Sequence, residues 1–306
     1  MKNLLIYIFS SILFLWSCTE RITLDTQTMS ARYVAVEGVL TNIPSVQTIN
    51  ISNPSGFFDE TISPSPVSGA SVTVSDGSKT VSFVEDPDRP GTYCSPNYYY
   101  GIPGKTYTLT IEVTDADGSV ELYSAESVMP EPGFLIDALD YKYMDPLMKD
   151  SWTMAVWGQD TPDVSNYFIM FGVNGHMYPF DKGLALPDFY FDAQYINAYP
   201  INILVQNEEN MRKFGECAKP LETGDVVSVS AFTLTQDFYE YLWAFMTNTS
   251  QISIPLLTPP PANLPTNIKG KNAQGFFAAC PVSLKTCVVD DPFRTDFRPD
   301  LPKPRP

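Results

Sequence analysis

Cys18 is the residue whose type and position most directly suggest chemistry. A short positive start, Met1–Asn3, precedes a largely apolar run of thirteen residues, Leu4–Trp16, and Ser17 stands directly before the cysteine. At about 1.5 Å per helical residue, this run is too short to cross a hydrocarbon core of about 30 Å. We therefore expect residues 1–17 to be a lipoprotein signal peptide, removed so that a lipidated Cys18 begins the mature chain. The alternative is an ordinary secretory signal that is cut nearby.

Four further cysteines could form disulfides or hold a metal ion: Cys94, Cys217, Cys280 and Cys287. An oxidising compartment favours disulfides, and four cysteines allow three pairings that a sequence alone cannot distinguish. Cys280 and Cys287, seven residues apart, are the first candidate pair. A zinc site is disfavoured, because the chain has no C-x-x-C spacing and its one histidine, His176, is near no cysteine in the sequence.

The remaining polar motifs indicate turns and exposed loops. The segment 114–119 resembles the start of a calcium loop, but its glycine comes at position four, where an EF-hand needs it at position six. We expect a hairpin turn there and predict no metal ligands. The chain has no nucleophile elbow, P-loop or dinucleotide-binding fingerprint. We therefore predict no catalytic residues, no cofactor and no enzyme activity. A hydrolase that uses an unrecognised pair of carboxylates is a third, weaker hypothesis.

Aromatic residues are the other feature that could bind a ligand, since they make up 13% of the chain. Most are explained by core packing and strand propensity. Two local clusters are candidate ligand-binding platforms, because exposed rings can stack on sugars or anchor a protein interface. These clusters are Tyr98, Tyr99, Tyr100 and Phe189, Tyr190, Phe191.

The overall charge excludes one class of partner. The chain has 19 basic and 35 acidic residues among 306, which gives a formal net charge of −16. A chain of this kind lacks the basic surface that phosphate backbones require, so we expect no nucleic-acid partner. At 44% hydrophobic residues the chain has enough apolar material for a real core.

Short alternating segments between turn residues predict a first β-sandwich. Residues 70–74 and 80–84 alternate and flank Asp76-Gly77, a pair that favours a hairpin turn. Residues 107–113 also alternate and lead, through Asp117-Gly118, to another alternating segment. Strands spaced about 8–12 residues apart are typical of an antiparallel sandwich. The sequence therefore predicts a mainly β protein with an N-terminal antiparallel β-sandwich.

The second half is predicted to be β-rich with one amphipathic helix near residues 236–247. Thr235 is a candidate N-cap, and Asp237 favours the positive end of the helix dipole. An apolar stripe repeats at helical spacing: Phe238, Tyr241, Leu242, Phe245 and Met246. We expect this stripe to pack on the sheet of the second domain, with a cofactor or partner groove as the alternative.

These patterns divide the chain into five parts. We expect a signal peptide at 1–17, a polar tether at 18–30 and the β-sandwich domain at 31–130. The β-rich domain with the helix follows at 131–289, and a Pro-rich tail, expected to be loosely ordered, occupies 290–306.

Taken in order, eight segments resemble a known family over essentially the whole mature chain. They are Tyr33–Gly38, Pro66–Val74, Pro90–Tyr93, Gly104–Leu109, Gly224–Val227, Phe238–Leu242, Pro265–Gly270 and Gly275–Phe277. The chain resembles the Gram-negative outer-membrane lipoproteins known as domain of unknown function 4249. The first segments also resemble the Ig-like or transthyretin-like β-sandwich. Cys287–Asp290 departs from the Cys-x-x-Cys-like segment near the end of many members, so no disulfide pattern is transferred.

The resemblance implies a cellular location and a partner protein, but no established catalytic residues. Such lipoproteins accompany TonB-dependent outer-membrane receptors, so the leading hypothesis is a non-enzymatic accessory component in nutrient uptake. We expect anchoring in the outer membrane through Cys18, on either the periplasmic or the surface face. The alternative is a stand-alone surface lipoprotein that binds a glycan or peptide through residues 98–100 or 189–191.

Overall fold

The fold is mainly β, which confirms the class predicted from the sequence. The computed structural model describes residues 33–54, 64–114, 117–144, 150–162, 166–179, 182–187, 193–205, 207–250 and 264–301. Two α-helices occur in this part of the chain, α1 (Glu208–Phe214) and α2 (Gln236–Ser250). Neither of these described helices is long and apolar enough to span a membrane.

The larger sheet has nine strands in the described residues. They are β1 (Val34–Thr41), β2 (Thr48–Asn53), β3 (Ser65–Pro66), β4 (Ser71–Ser75), β5 (Thr80–Glu85), β6 (Thr92–Cys94), β7 (Thr106–Thr114), β8 (Val120–Val128) and β16 (Ala273–Cys280). Their order in the sheet is β16-β1-β2-β6-β5-β4-β7-β8, with β3 beside β2. All pairs are antiparallel except β1 with β16, which is parallel.

Local sequence explains the hairpins of this sheet. The predicted turn at Asp76-Gly77 joins β4 to β5, and the turn at Asp117-Gly118 joins β7 to β8. In the first turn, the Asp76 carboxylate accepts hydrogen bonds from the backbone N–H groups of Ser78 and Lys79, and Gly77 has a φ of 82°. Glycine takes this left-handed conformation without steric cost, so the sequence and the turn agree.

The ends of the sheet approach each other around a first hydrophobic core. Ser127 Oγ on β8 accepts a hydrogen bond from the backbone N–H of Ala279 on β16 (2.9 Å). The Asn267 side chain then bonds both the N–H and the carbonyl oxygen of Phe277 (3.0 and 2.7 Å). The enclosed side chains come from strands of the whole sheet and include Val36, Ile49, Val74, Tyr93, Tyr107, Leu109, Ile111, Tyr123 and Phe277.

Two further sheets enclose the second core. The three-stranded sheet, in the order β14-β10-β9, contains β9 (Phe134–Tyr143), β10 (Ser151–Asp160) and β14 (Tyr195–Val205). The five-stranded sheet contains β11 (Asn166–Val173), β12 (His176–Met177), β13 (Leu184–Leu186), β15 (Val226–Leu234) and β17 (Val282–Val288). Buried side chains of both sheets meet in this core, among them Ile136, Tyr141, Trp152, Met154, Tyr167, Phe171, Val229 and Cys287.

Strand β16 connects the two halves of the chain, because it follows helix α2 in sequence but extends the first sheet. Its side chains alternate between two environments: Phe277 and Ala279 point into the first core, whereas Phe276, Ala278 and Cys280 pack with helix α2. Residues 33–306 form one compact unit. The division into domains near residue 130 stays a prediction.

The C-terminal tail differs from the expectation of loose order. Up to Leu301 it packs against β9 and β10, and the Phe293 and Phe297 rings meet Tyr143 and Trp157 edge-on at centroid distances of 5.4 Å. Proline content suggests an irregular backbone, which is correct, but Phe297 and Leu301 pack against the buried residues Ala138, Ala155 and Trp157. The tail is therefore part of the packed structure as far as residue 301.

Candidate functional site

Helix α2 positions the aromatic side chains of the candidate site. It begins after Thr235, whose carbonyl oxygen accepts the backbone N–H of Tyr239 (3.0 Å). The Thr235 hydroxyl donates to the Asp237 carboxylate (2.5 Å), which also accepts the N–H of Phe238 (2.9 Å). The predicted helix is confirmed, and it continues three residues beyond its expected end at residue 247. Thr235 does precede the first residue of the helix, as predicted for an N-cap. The side chain that accepts a backbone N–H there, however, is that of Asp237 and not that of Thr235.

The apolar stripe of α2 packs on both halves of the structure. Phe238, Tyr241 and Leu242 are buried and contact Phe168 and Leu234 of the second half. The same cluster includes Phe276, Ala278 and Cys280 of β16. The sequence predicted only the contact with the second sheet. The contact with β16 was missed because nothing local marks that strand as part of the first sheet.

A groove lies between α2 and the outer face of the first sheet, with a volume of about 390 Å³. Its walls and floor are formed by Glu37, Gly38, Val39, Thr48, Asn50, Phe238, Tyr241, Leu242, Phe245 and Phe276. In the strand register, Glu37 of β1 lies opposite Phe276 on one side and opposite Asn50 on the other. Paired residues of neighbouring strands point to the same face of a sheet, so these three side chains form one row across the floor.

The aromatic rings in the groove form a connected cluster centred on Tyr241. Its ring lies 5.1 Å from that of Phe276 and stacks on Phe238 at 6.1 Å and on Phe245 at 6.4 Å, measured between centroids. Phe238 and Tyr241 are buried, whereas Phe245 is half-buried. A rigid aromatic wall of this kind offers apolar contact area and the negative faces of its rings.

Glu37 is the one charged residue among the described residues that line the groove. Its side chain is exposed, and within the described chain its carboxylate makes no hydrogen bond or ion pair. Burial raises the pKa of Tyr241 to about 12, and the negative charge of Glu37 adds to this effect. The phenol therefore stays neutral at physiological pH, and the groove combines an aromatic wall on the helix side with a single negative charge on the sheet side.

A buried ionic cluster lies beneath the tail, outside the groove. The carboxylate of Asp140 on β9 is fully buried and accepts two hydrogen bonds from the Arg294 guanidinium (2.8 and 2.9 Å). It also accepts the backbone N–H of Arg298 (2.8 Å) and the Nε–H of that residue (3.1 Å). The guanidinium of Arg298 donates in turn to Cys287 Sγ (2.7 Å). These groups bond one another, so the cluster anchors the tail.

The pKa of Asp140 reflects the balance of two effects. Burial alone would raise it, but the hydrogen bonds from Arg294 and from the backbone of Arg298 outweigh burial and lower it. The carboxylate is therefore ionised at neutral pH, as its two arginine partners require. Burial likewise raises the pKa of the Cys287 thiol, with the positive charge of Arg298 acting in the opposite direction.

The structure separates the members of the first predicted aromatic cluster. Tyr98 and Tyr100 are 78% and 47% exposed, whereas Tyr99 packs edge-on against Phe83 at 5.9 Å. Two of these three rings are thus available to a ligand. Phe189, Tyr190 and Phe191, as well as the lipidation candidate Cys18, lie outside the described residues.

The two cysteines predicted to pair are separated in this structure. Cys280 is buried against helix α2, Cys287 is buried in the second core, and both are free thiols. Cys287 stands five residues into the extended strand β17, about 16 Å from its start at 3.3 Å per residue. Cys280 is only two residues before that strand. The Cα atoms of Cys280 and Cys287 therefore cannot approach within the ~7 Å that a disulfide needs. In the structure both residues are free thiols and do not form the predicted bridge.

We expect both thiols to react when the protein is unfolded without reductant. Iodoacetamide in guanidinium chloride, followed by trypsin and mass spectrometry, checks this, because cleavage after Lys285 places the two cysteines on different peptides. The expected products are two separately alkylated peptides. A linked pair containing Cys280 and Cys287 would contradict the structure.

The structure also describes His176 and most of the calcium-like segment at 114–119. His176 is exposed on the short strand β12, directly after the Asn174-Gly175 turn. The calcium-like segment forms the β7–β8 hairpin, although residues 115 and 116 lie outside the described chain. No group of three or more metal-binding side chains occurs among the described residues. The sequence predicted a groove only as an alternative role for the apolar stripe of α2. It did not predict a role for Glu37, because a lone glutamate in a strand gives no local signal.

The chain was compared with curated proteins and with solved structures. No curated protein matches the chain. The crystal structure of the FN1–FN3 domains of chicken CNTN1 aligns with 12% sequence identity and a TM-score of 0.24. The alignment covers 66% of this chain and 62% of that one, so this chain spans less than two thirds of that structure.

The family comparison covers most of the sequence. The family described as Domain of unknown function (DUF4249) matches residues 19–286. The matched region contains every residue that lines the groove, from Glu37 to Phe276, whereas the tail arginines lie beyond it. The match also agrees with the resemblance carried by the eight sequence segments. The chain therefore belongs to the DUF4249 family.

Proposed function

We propose that the protein is a lipid-anchored outer-membrane binding protein that assists a TonB-dependent receptor in nutrient uptake. The groove between helix α2 and the first sheet carries this proposal. It is already formed, its volume is within the range of about 300–1,000 Å³ typical of ligand sites, and apolar rings line it with few polar groups. Such a surface is suited to binding, and its walls come from both halves of the chain.

Separate observations support the proposed outer-membrane location and the proposed receptor partner. The sequence around Cys18 resembles a relaxed lipoprotein signal, in which Trp16 stands where a small residue is preferred, and the tether at 18–30 would give the folded part reach from the membrane. A single acyl chain binds membranes only weakly, so stable anchoring requires more than one lipid chain at this cysteine. The proposed partnership with a TonB-dependent receptor comes from the family resemblance.

We predict that a crosslinked pull-down of the tagged, full-length lipoprotein from gently solubilised outer membrane recovers one TonB-dependent barrel in near-equal amount. Mass spectrometry identifies the partner. The Cys18→Ser variant should lose this barrel because it loses its anchor, whereas Cys94→Ser, which keeps the signal intact, should retain it. Recovery of the lipoprotein alone, together with unchanged uptake in a deletion strain, would refute the accessory role.

A stand-alone glycan- or peptide-binding function is the second candidate, favoured by the exposure of Tyr98 and Tyr100. Rings on a loop can stack on sugar faces without a deep cavity. A glycan array with the wild type and the Tyr98→Ala, Tyr100→Ala double variant separates the two candidates. Ligand binding that disappears in this variant, with no barrel in the pull-down, would favour the second function.

A further inference from the structure

We propose that the groove binds a segment of a partner protein that inserts one arginine or lysine side chain between the aromatic rings and Glu37. This inference rests on the proposed function only in taking the groove as the binding surface. It specifies the chemistry of the partner.

Charge and ring geometry identify the inserted group. The described lining contains one carboxylate, that of Glu37, and no basic residue. Tyr241, Phe276 and Phe245 are linked by ring contacts beside that charge. A cation is attracted both to the faces of aromatic rings and to a carboxylate, so a site that offers both favours a basic side chain.

The chain uses the same combination in its own interior. The Arg294 guanidinium lies 4.7 Å from the centroid of the Tyr141 ring and pairs with the Asp140 carboxylate. There the cation is supplied by the tail. In the groove, aromatic rings and a carboxylate again lie side by side, although Glu37 is exposed where Asp140 is buried. The net charge of −16 further attracts a basic partner.

The shape of the groove favours a protein segment over a small molecule. Small ligands usually have 70–90% of their surface buried in their sites. Here Glu37 and Asn50 are both exposed on the sheet side, so one flank is open to water. A peptide can leave the groove along this flank, while its apolar residues next to the basic one cover Val39 and Phe245.

Binding of full-length, detergent-solubilised protein to an array of random hexapeptides tests the proposal. We expect the bound peptides to be enriched in arginine or lysine next to large apolar residues. The best peptide, labelled with fluorescein, is then titrated by fluorescence anisotropy. Its affinity should fall with added salt, because the contact includes an ion pair that salt screens.

Two variants with matched controls locate the contact. Glu37→Gln should weaken the peptide about two- to fivefold, as expected for a partly exposed ion pair, and should remove the preference for basic residues. Glu112→Gln removes the same charge from an exposed position on strand β7, outside the groove, and should bind as the wild type does. Phe245→Ala should weaken binding about tenfold, whereas Trp243→Ala, a largely exposed ring of the same helix outside the lining, should not.

The outcomes separate this proposal from the proposed function. An array without basic enrichment, or equal affinity for Glu37→Gln and Glu112→Gln, overturns the inference even when the barrel is recovered. Basic enrichment that depends on Glu37 supports the inference even when no barrel is found. Self-association that Phe245→Ala abolishes, in a protein that binds no peptide, would assign the groove to a second copy of the chain and overturn the proposal.

Discussion

Replacing Asp140 with alanine is expected to lower the free energy of unfolding by about 3–5 kcal/mol, because it leaves two arginines without their shared partner. The Asp140 side chain is fully buried, and the side chains of Arg294 and Arg298 are only 18% and 34% exposed. Removing one member of a buried charge cluster lowers the free energy of unfolding by more than the intact cluster adds to it, since the remaining charges stay desolvated. We also expect the tail to detach from β9.

Urea unfolding followed by tryptophan fluorescence measures this effect. Trp152 is a suitable reporter because its indole N–H donates to the carbonyl oxygen of Pro292 in the tail (2.6 Å). Asp137→Ala is the matched control, since Asp137 lies on the same strand but is exposed. A loss below about 1 kcal/mol, equal to the control, would show that the cluster does not hold the tail.

The contribution of Asp140 should depend on pH with a defined sign. Its pKa in the folded protein is lower than the ordinary value, because the hydrogen bonds from Arg294 and Arg298 outweigh burial. A group of this kind stabilises the fold above its unfolded pKa of about 3.9, and this contribution is lost as the pH falls through the folded value. The difference in stability between the wild type and Asp140→Ala should therefore be full at pH 7 and decrease below about pH 4.

The second large effect is expected for Gly275→Ala, which should lower the free energy of unfolding by about 2–6 kcal/mol. Gly275 has a φ of 87°, and a Cβ atom built on it would lie 2.1 Å from the carbonyl oxygen of Val36. The strained backbone and the clash each cost about 1–3 kcal/mol, and the neighbouring β1 strand has to move to relieve the contact. Since Gly275 lies directly before Phe276, we also expect weaker binding in the groove.

Gly77→Ala provides a close control for backbone strain. Gly77 has a φ of 82°, but a Cβ atom added there would meet nothing within 4 Å, so this change should cost only about 1 kcal/mol. Thermal unfolding of the two variants separates strain from contact. Equal stabilities would mean that β1 and β16 do not pair as closely as the structure has them.

Local patterns in the sequence were sufficient for the hairpin strands of the first half and for helix α2, but not for the short strands β3 and β6. The hairpins at Asp76-Gly77 and Asp117-Gly118 and the stripe from Phe238 to Met246 depend on residues within a few positions of one another. Side-chain alternation and helical spacing record which face of each element is buried. Helix α1 escaped prediction, because it is one short, polar segment without an apolar stripe and none of its residues is buried.

The contacts that create the sites were decided by the tertiary structure. The parallel pairing of β1 with β16 brings Glu37 beside Phe276, which is 239 positions later in the chain, and the tail brings Arg294 to Asp140, 154 positions away. In the sequence, Asp140 and Glu37 were two of 35 acidic residues. Their roles come from long-range packing, in which the burial of apolar faces selects the partners and the charged groups then pair with whatever that packing places beside them. The sequence by itself determined the hairpins, helix α2 and the family, and only the folded chain determined the groove and the buried ionic cluster.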